Sequence, residues 1–365
     1  MPARRDSPGP RASPDAPVVR ALLAWFARAG RDLPWRQAGP AGRDPYRVLV
    51  SEVMLQQTQV SRVLLKFPEF LSRFPDLASL ARAREHDVLA AWTGLGYSRR
   101  ARALHRAARA IVEAHGGLVP ADPAALRALP GIGRYTAGAI ASLAFNVPEP
   151  LVDGNVSRVL LRLHGKDLAS DDPRAVAWAW ARAGDLVKAA DRRPGELNES
   201  LMELGATVCT PRSPRCGACP VARLCVARAR GVQESIPRPK ARARQRRAWH
   251  VVLRLRDARG RFWLERRAGS GLWAGLWQCP TVESDRAPRS AATLARTRAR
   301  GLGAAAPALW RARERFDFKT TACRVTFVVF DARVQTVRGP GRWCTPEASR
   351  RLPISSPMRR VLGPT

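Results

Sequence analysis

Four cysteines lying close together in the chain are the first residues with chemistry to offer. Cys209, Cys216, Cys219 and Cys225 follow the pattern C-x6-C-x2-C-x5-C. Four thiolates on one short loop can enclose a metal centre from all sides. Structural zinc sites are usually assembled from closely spaced cysteine pairs. Only the middle pair here has that spacing, which favours an iron–sulfur cluster over zinc. The chain has seven cysteines, an odd number with four of them clustered, so a disulfide framework is not expected. Cys279, Cys323 and Cys344 lack ligand spacing and read as ordinary thiols. Arg212, Arg215 and Arg223 stand between the clustered cysteines, placed either to grip phosphates or simply to be solvated.

Backbone and carboxylate chemistry lies upstream. Leu129-Pro130-Gly131-Ile132-Gly133-Arg134-Tyr135 joins two helical stretches. Gly131 and Gly133 permit positive φ and would expose backbone N–H groups at the start of the next helix, an arrangement that binds phosphate without a side-chain charge. The Leu-Pro before the turn and the small residues after it (Ala137, Gly138, Ala139, Ala141) fit a helix–hairpin–helix, although close helix packing also explains small residues. Asp153 can cap the helix that begins near Gly154, and can at the same time face a bound sugar. On a helix, Glu52 has Val48 and Leu49 one turn before it and Leu55 and Gln56 one turn after. Desolvation on such a face would raise its pKa and keep it protonated near neutral pH. A surface glutamate is the plainer alternative.

The elements that must hold these groups fall into two patterns. From residue 16 to 228 apolar residues recur at three and four spacings, as in Val18, Leu22, Trp25 and Phe26, or Val156, Val159, Leu160 and Leu163. This half is expected to be all-α. Residues 229–247 are rich in Lys and Arg and contain Pro237 and Pro239, which reads as a basic linker. From Ala248 the period becomes two, with Trp249, Val251, Leu253 and Leu255 on one face. Arg261 to Glu265 and Arg324 to Phe330 are further expected strands, so residues 248–362 form a smaller α+β domain.

Charge narrows the partner. Sixty-three Lys and Arg against 30 Asp and Glu give +33, a balance suited to nucleic acid. Its spread along the whole chain speaks against a purely membrane-surface role. No apolar run is long enough for a transmembrane helix. Residues 1–15 read as a disordered leader, because they have no apolar stretch of the kind a secretion signal needs, and the chain is expected to be cytoplasmic. The five histidines form no Ser-His-Asp pattern, and no P-loop occurs.

The hairpin, the Val152-Asp153-Gly154-Asn155 segment and the four-cysteine loop occur in the order of the endonuclease III superfamily. The resemblance covers the helical half. Within the superfamily, Ser51-Glu52-Val53-Met54-Leu55-Gln56-Gln57-Thr58-Gln59-Val60, the linker and the second domain resemble the MutY-like adenine DNA glycosylases. The resemblance implies a 4Fe–4S cluster on the loop 209–225. It also implies a bacterial, nucleoid-associated monomer acting on double-stranded DNA that carries adenine opposite 8-oxoguanine or guanine. It further implies that Glu52 protonates the departing adenine at N7, and that ionised Asp153 stabilises the oxocarbenium-like sugar. Asn155 and Tyr135 would position Asp153 and the attacking water. Bifunctional relatives carry a lysine where this chain has Tyr135; without that amine no Schiff base forms, so a monofunctional glycosylase is expected. Ser157 stands where some relatives carry a cross-linking lysine, so little borohydride trapping is expected.

Extruding the target nucleotide costs roughly a few kcal/mol and leaves a gap to be filled. Gln57 and Tyr97 are the candidates for that wedge or for contacts to the opposite base, with Thr58, Leu95, Gly131 and Gly133 as further DNA contacts. Ser270 to Pro280 resembles the start of a Nudix-like domain. The helix expected to hold metal, Ser290 to Gly303, has several arginines and no Glu, so this domain should recognise rather than hydrolyse. Its recognition loop falls at Phe316-Asp317-Phe318, where only Phe316 matches the family pattern. Two other readings remain: an endonuclease III-like glycosylase and lyase, or a non-catalytic iron–sulfur protein that binds DNA.

Overall fold

The computed structural model describes residues 13–39, 42–239, 245–304, 311–320 and 323–363. Most of the expected leader lies outside them. The chain divides into two compact units: Met1–Phe67, Asp76–Ala81 and Arg106–Ala241 in one, and Pro68–Pro75, Arg82–His105 and Arg242–Thr365 in the other. Residues 68–75 and 82–105, read from sequence as part of the helical domain, thus cluster with the second unit.

The helices run in the order α1 (Ala16–Ala29), α2 (Pro45–Leu55), α3 (Val60–Arg73), α4 (Leu77–Arg82), α5 (Glu85–Ala91), α6 (Ser98–His115), α7 (Pro123–Ala128), α8 (Arg134–Phe145), α9 (Gly154–Leu163), α10 (Pro173–Ala189), α11 (Pro194–Thr207) and α12 (Val226–Ala229). Local chemistry starts several of them. Asp44, Asp122 and Asp172 each accept a hydrogen bond from a backbone N–H of the first turn, and each is followed by a proline at the first helical position. The apolar stripes predicted for α1 and α9 meet α8, α10 and α11 in one core containing Leu22, Val156, Leu160, Leu186, Leu201 and Leu204. A Cβ on Gly205 of α11 would lie 2.7 Å from the Asn155 Cβ, so only glycine lets α11 approach the start of α9 so closely.

Two expected boundaries move. Asp15 was assigned to the leader; it is buried and forms an ion pair with Arg182, which anchors the start of α1. The first part of the expected linker is packed. Ile236 lies in a small core with Leu161, Ala175 and Ala227, and its carbonyl accepts from Arg162 Nε at 2.7 Å. Residues 240–244 lie outside the described residues.

In the second unit the strands are β1 (Arg246–Arg256), β2 (Phe262–Arg266), β3 (Trp277–Gln278), β4 (Thr281–Ser284), β5 (Arg311–Lys319), β6 (Cys323–Arg333) and β7 (Gly341–Cys344). The sheet order is β3-β2-β1-β6-β5, with β4 paired to β1 and β7 to β2; β1 and β6 run parallel. Helices α13 (Ala291–Gly301), α14 (Pro346–Arg350) and α15 (Ser356–Leu362) complete the unit. The α+β expectation holds, but β1 is not buried on one face alone. Val251, Leu253 and Leu255 join one core with Ala295 and Ala299 of α13, while Val252 joins a second core with Phe327, Met358 and Val361 of the opposite face. Helix α13 carries no Glu, and Arg298 from it pairs with Glu265 of β2 at 2.8 Å. Among the described residues no helix is long and apolar enough to cross a membrane.

Candidate active site

Glu52 sits on α2, whose start is fixed by the Asp44 cap and Pro45. Its side chain is 3% exposed, so the surface alternative is excluded. Burial pushes its carboxyl up to about 7. The Tyr135 hydroxyl opposes that shift by donating to Glu52 Oε2 at 3.0 Å, while the Asp153 and Glu199 carboxylates reinforce it. Tyr135 was expected to hold Asp153. Its hydrogen bond goes to Glu52 instead, because the first turn of α8 packs against α2. Burial holds the Tyr135 phenol well above the usual range, and the charges of Glu52 and Asp153 both add to that shift, so the three residues share one site.

Of the two roles that the sequence left open for Asp153, the structure shows the cap. It caps α9, its Oδ1 accepting from the Val156 N–H at 2.7 Å, and its Oδ2 accepts from Asn155 Nδ2 at 3.0 Å. Burial raises its carboxyl, and these donors together with the Arg158 guanidinium pull it back toward the charged form.

Two buried arginines that were not singled out from sequence tie this site to the cysteine loop. Arg158 Nη2 donates to Asn155 Oδ1 at 2.9 Å and to the Gly205 carbonyl at 2.8 Å, while its Nε donates to the Cys209 carbonyl at 2.8 Å. Arg162, one turn on, reaches the Thr210 carbonyl at 2.6 Å and the Cys209 sulfur at 3.4 Å. The legible signal was two arginines four residues apart on a helix that is otherwise apolar on that face. A second unforeseen group flanks Glu52. Glu199 and Glu203, one turn apart on α11, are buried and paired with Arg31, Arg36 and Arg43 at 2.6 to 3.0 Å.

The cysteine loop wraps through two short 3-10 turns, Cys216–Ala218 and Ala222–Leu224. Cys219 and Cys225 each lie within electrostatic range of Cys209 and Cys216, and Cys219 of Cys225. Among the described residues, however, no three Cys, His, Asp or Glu groups converge tightly enough for a single metal ion. Burial pushes the Cys219 thiol up to about 11, so its thiolate form needs a positive centre beside it. Arg212, Arg215 and Arg223 are exposed between these cysteines.

The expected DNA contacts divide. Gly131 has φ +78, but Gly133 has an ordinary negative φ and caps α8 in extended conformation, so only the first glycine needs its freedom. Both are exposed at the hairpin. Gln57 is exposed in the left-handed region at φ +54, beside half-buried Thr58. In the second unit, Tyr97 has φ +49 and follows Gly94 and Gly96, both at positive φ. The guanidinium of Arg100 lies 5.2 Å from its ring, and Trp92 Nε1 donates to the Gly96 carbonyl at 3.0 Å. Two candidates are corrected. Leu95 is 2% exposed and belongs to the core beneath this turn. Phe316 is 8% exposed, its ring stacked on Phe327 at 4.9 Å, because alternation along β5 turns Phe316 and Phe318 inward and Arg315 and Asp317 outward.

Residues 50–178 match the HhH-GPD superfamily of base excision DNA repair proteins, residues 209–225 the iron-sulfur binding domain of endonuclease III, and residues 251–363 the NUDIX domain. The cofactor is accordingly a 4Fe–4S cluster. The human adenine DNA glycosylase is 46% identical over 220 residues, which is 59% of this chain and 40% of that protein. The adenine DNA glycosylase of Buchnera aphidicola subsp. Schizaphis graminum is 32% identical over 266 residues, 72% of this chain and 74% of that protein. The match thus spans about two-fifths of the mammalian relatives and about three-quarters of the Buchnera one. Among solved structures, a thermostable thymine-DNA glycosylase superposes with TM-score 0.52 at 30% identity, covering 59% of this chain and 97% of that one.

Proposed function

The chain belongs to the adenine DNA glycosylase family, and from that premise we propose that it releases adenine from double-stranded DNA in which the base is mispaired with 8-oxoguanine or guanine. The observation that carries the reading is the buried pair: Glu52 held near neutrality with the Tyr135 hydroxyl on it, and the Asp153 carboxylate acting on both. Adenine is a poor leaving group as an anion. Glu52, whose carboxyl stands at about 7, keeps a protonated fraction at neutral pH, and that form supplies the proton that makes the base a neutral leaving group. The sugar left behind gains positive charge, which Asp153, kept charged by Val156, Asn155 and Arg158, stabilises until water completes the hydrolysis. Tyr135 keeps Glu52 oriented and offers no amine, so no Schiff base forms and the strand stays intact.

Cys209, Cys216, Cys219 and Cys225 would hold the cluster, whose contribution when bound is a positive centre that rigidifies the loop. The exposed Arg212, Arg215 and Arg223 on that loop and the N–H groups of the hairpin around Gly131 and Gly133 suit phosphates. Gln57, Thr58 and Tyr97 are our candidates for filling the gap behind an extruded adenine. Leu95 and Phe316 would support their surroundings from the core. The second unit would recognise the opposite base without hydrolysis. We further read the protein as a bacterial cytoplasmic monomer working at the nucleoid.

The test is direct. Purified protein is incubated with duplexes containing A·8-oxoguanine, A·G or a damaged pyrimidine, and strands are resolved with and without alkali. Adenine loss that becomes a strand break only after alkali is expected. Strand cleavage without alkali from a damaged pyrimidine would move the chain to the lyase branch, and no base loss on any duplex would leave a non-catalytic DNA-binding protein.

A further inference from the structure

The second unit carries an open cavity of about 480 Å³ on its sheet, lined by Arg247, Arg315 and Arg324 with Trp249, Thr326 and Asp317. Register explains how the groups meet. On β1, β6 and β5, three neighbouring strands, Arg247 pairs with Arg324 and Arg324 with Lys319, while Trp249 pairs with Thr326 and Thr326 with Asp317. The first row places three cations side by side, at roughly 4.8 Å per strand. Like charges opposite each other on paired strands oppose folding. The cavity offers one anion in return. Asp317 accepts from Arg324 Nε at 2.9 Å and from Thr326 Oγ1 at 2.6 Å, so its charge is already committed. The Arg315 guanidinium lies 5.0 Å from the centre of the Trp249 ring, which helps to hold it in place, and it feels the Asp317 charge without forming an ion pair with it. Among the described residues Arg247, Arg315 and Lys319 have no ion-pair partner, and all three are exposed.

We propose that this row is a phosphodiester-binding site, across which the backbone of duplex DNA lies on β1, β6 and β5. The ligand class follows from the chemistry. Guanidinium groups held by the Trp249 ring and by Asp317 present forks matched to phosphate oxygens, and a polyanion supplies the charge that the row lacks. The site shares no residue with the Glu52 and Asp153 pair, and the proposal rests on the reading of the chain as a DNA-binding glycosylase.

The experiment compares the full-length protein with the double variant Arg247→Gln/Arg315→Gln, and with Arg296→Gln/Arg300→Gln on α13 as a control that removes the same charge elsewhere. Binding to an undamaged duplex is measured by anisotropy over a series of salt concentrations. Losing two phosphate contacts should flatten the slope of log affinity against log salt by about 1.8, which corresponds to a loss of about 60-fold at 0.1 M salt. The melting temperature of the variant should stay the same or rise, since repulsion has been removed. An unchanged slope, an equal loss in the control, or a lowered melting temperature accompanying the affinity loss would each overturn the site. Protection of the cavity by inorganic phosphate with no change in the DNA slope would assign it to a free anion and also overturn it. If the unaltered protein fails to bind duplex at all, the glycosylase reading itself fails; if it binds and only the slope is unmoved, the site alone fails.

Discussion

Glu52 should make the fold less stable wherever it is charged, and replacing it should reveal by how much. An ordinary glutamate in the unfolded chain titrates near 4.5, whereas burial lifts this one to about 7. That gap of about 2.5 at about 1.36 kcal/mol per unit is about 3 kcal/mol. The folded state holds the proton more tightly than the unfolded state. Stability is therefore complete below pH 4.5, declines as the unfolded carboxyl ionises, and reaches its lower plateau once Glu52 itself ionises above pH 7. Glu52→Gln keeps the shape and cannot ionise. It should match the unaltered protein at pH 4.5 and exceed it by about 3 kcal/mol at pH 8, while losing base release at every pH. Chemical denaturation of both proteins across that range, read from a signal of the helical unit, measures the difference. The rate of adenine release by the unaltered protein should also fall about tenfold per unit above pH 7. A stability difference that is the same at pH 4.5 and pH 8 would refute the argument, because it would mean that Glu52 is not desolvated in the folded protein.

Three further outcomes are expected. Tyr135→Phe removes the donor that opposes the shift of Glu52, so the falling limb of the rate profile should move to higher pH, as read from single-turnover rates; an unmoved limb would deny the hydrogen bond. Asp153→Asn should abolish adenine release while leaving duplex affinity within about threefold, since the lost charge serves the sugar and not the backbone; full activity would remove Asp153 from the mechanism. Arg158→Gln leaves the Cys209 and Gly205 carbonyls without their donor and loosens Asn155, at about 1.5–3 kcal/mol for each charge-assisted bond. It should both slow base release and hasten loss of the cluster's visible absorbance, and a variant slow in release with normal absorbance loss would show that the link to the loop is not needed.

What could be read from sequence was what short-range chemistry dictates. The cysteine spacing, the hairpin, the caps of α9 and the period change at β1 are each local, and each occurs where it was expected. Groups positioned by distant parts of the chain were missed. Arg158 and Arg162 look like surface residues of an amphipathic helix until α11 and the cysteine loop close over them. Glu199 and Glu203 look like an exposed pair until Arg31, Arg36 and Arg43 arrive from more than 150 residues away in the chain. The error at Tyr135 has the same origin. Its position after the hairpin is local, but whether its hydroxyl faces Glu52 or Asp153 depends on how α2 and α9 approach α8. Leu95 and Phe316 fail for a different reason, since a residue beside a functional turn or strand was taken for the one that faces outward. In β5 the alternation itself decides, as an inward Phe316 requires outward Arg315 and Asp317. The same alternation that withdraws the aromatic from solvent therefore builds the cationic row. A sequence with one residue deleted between Phe316 and Lys319 cannot keep both pairings: with Phe316 held on Phe327, Lys319 turns inward and leaves the row.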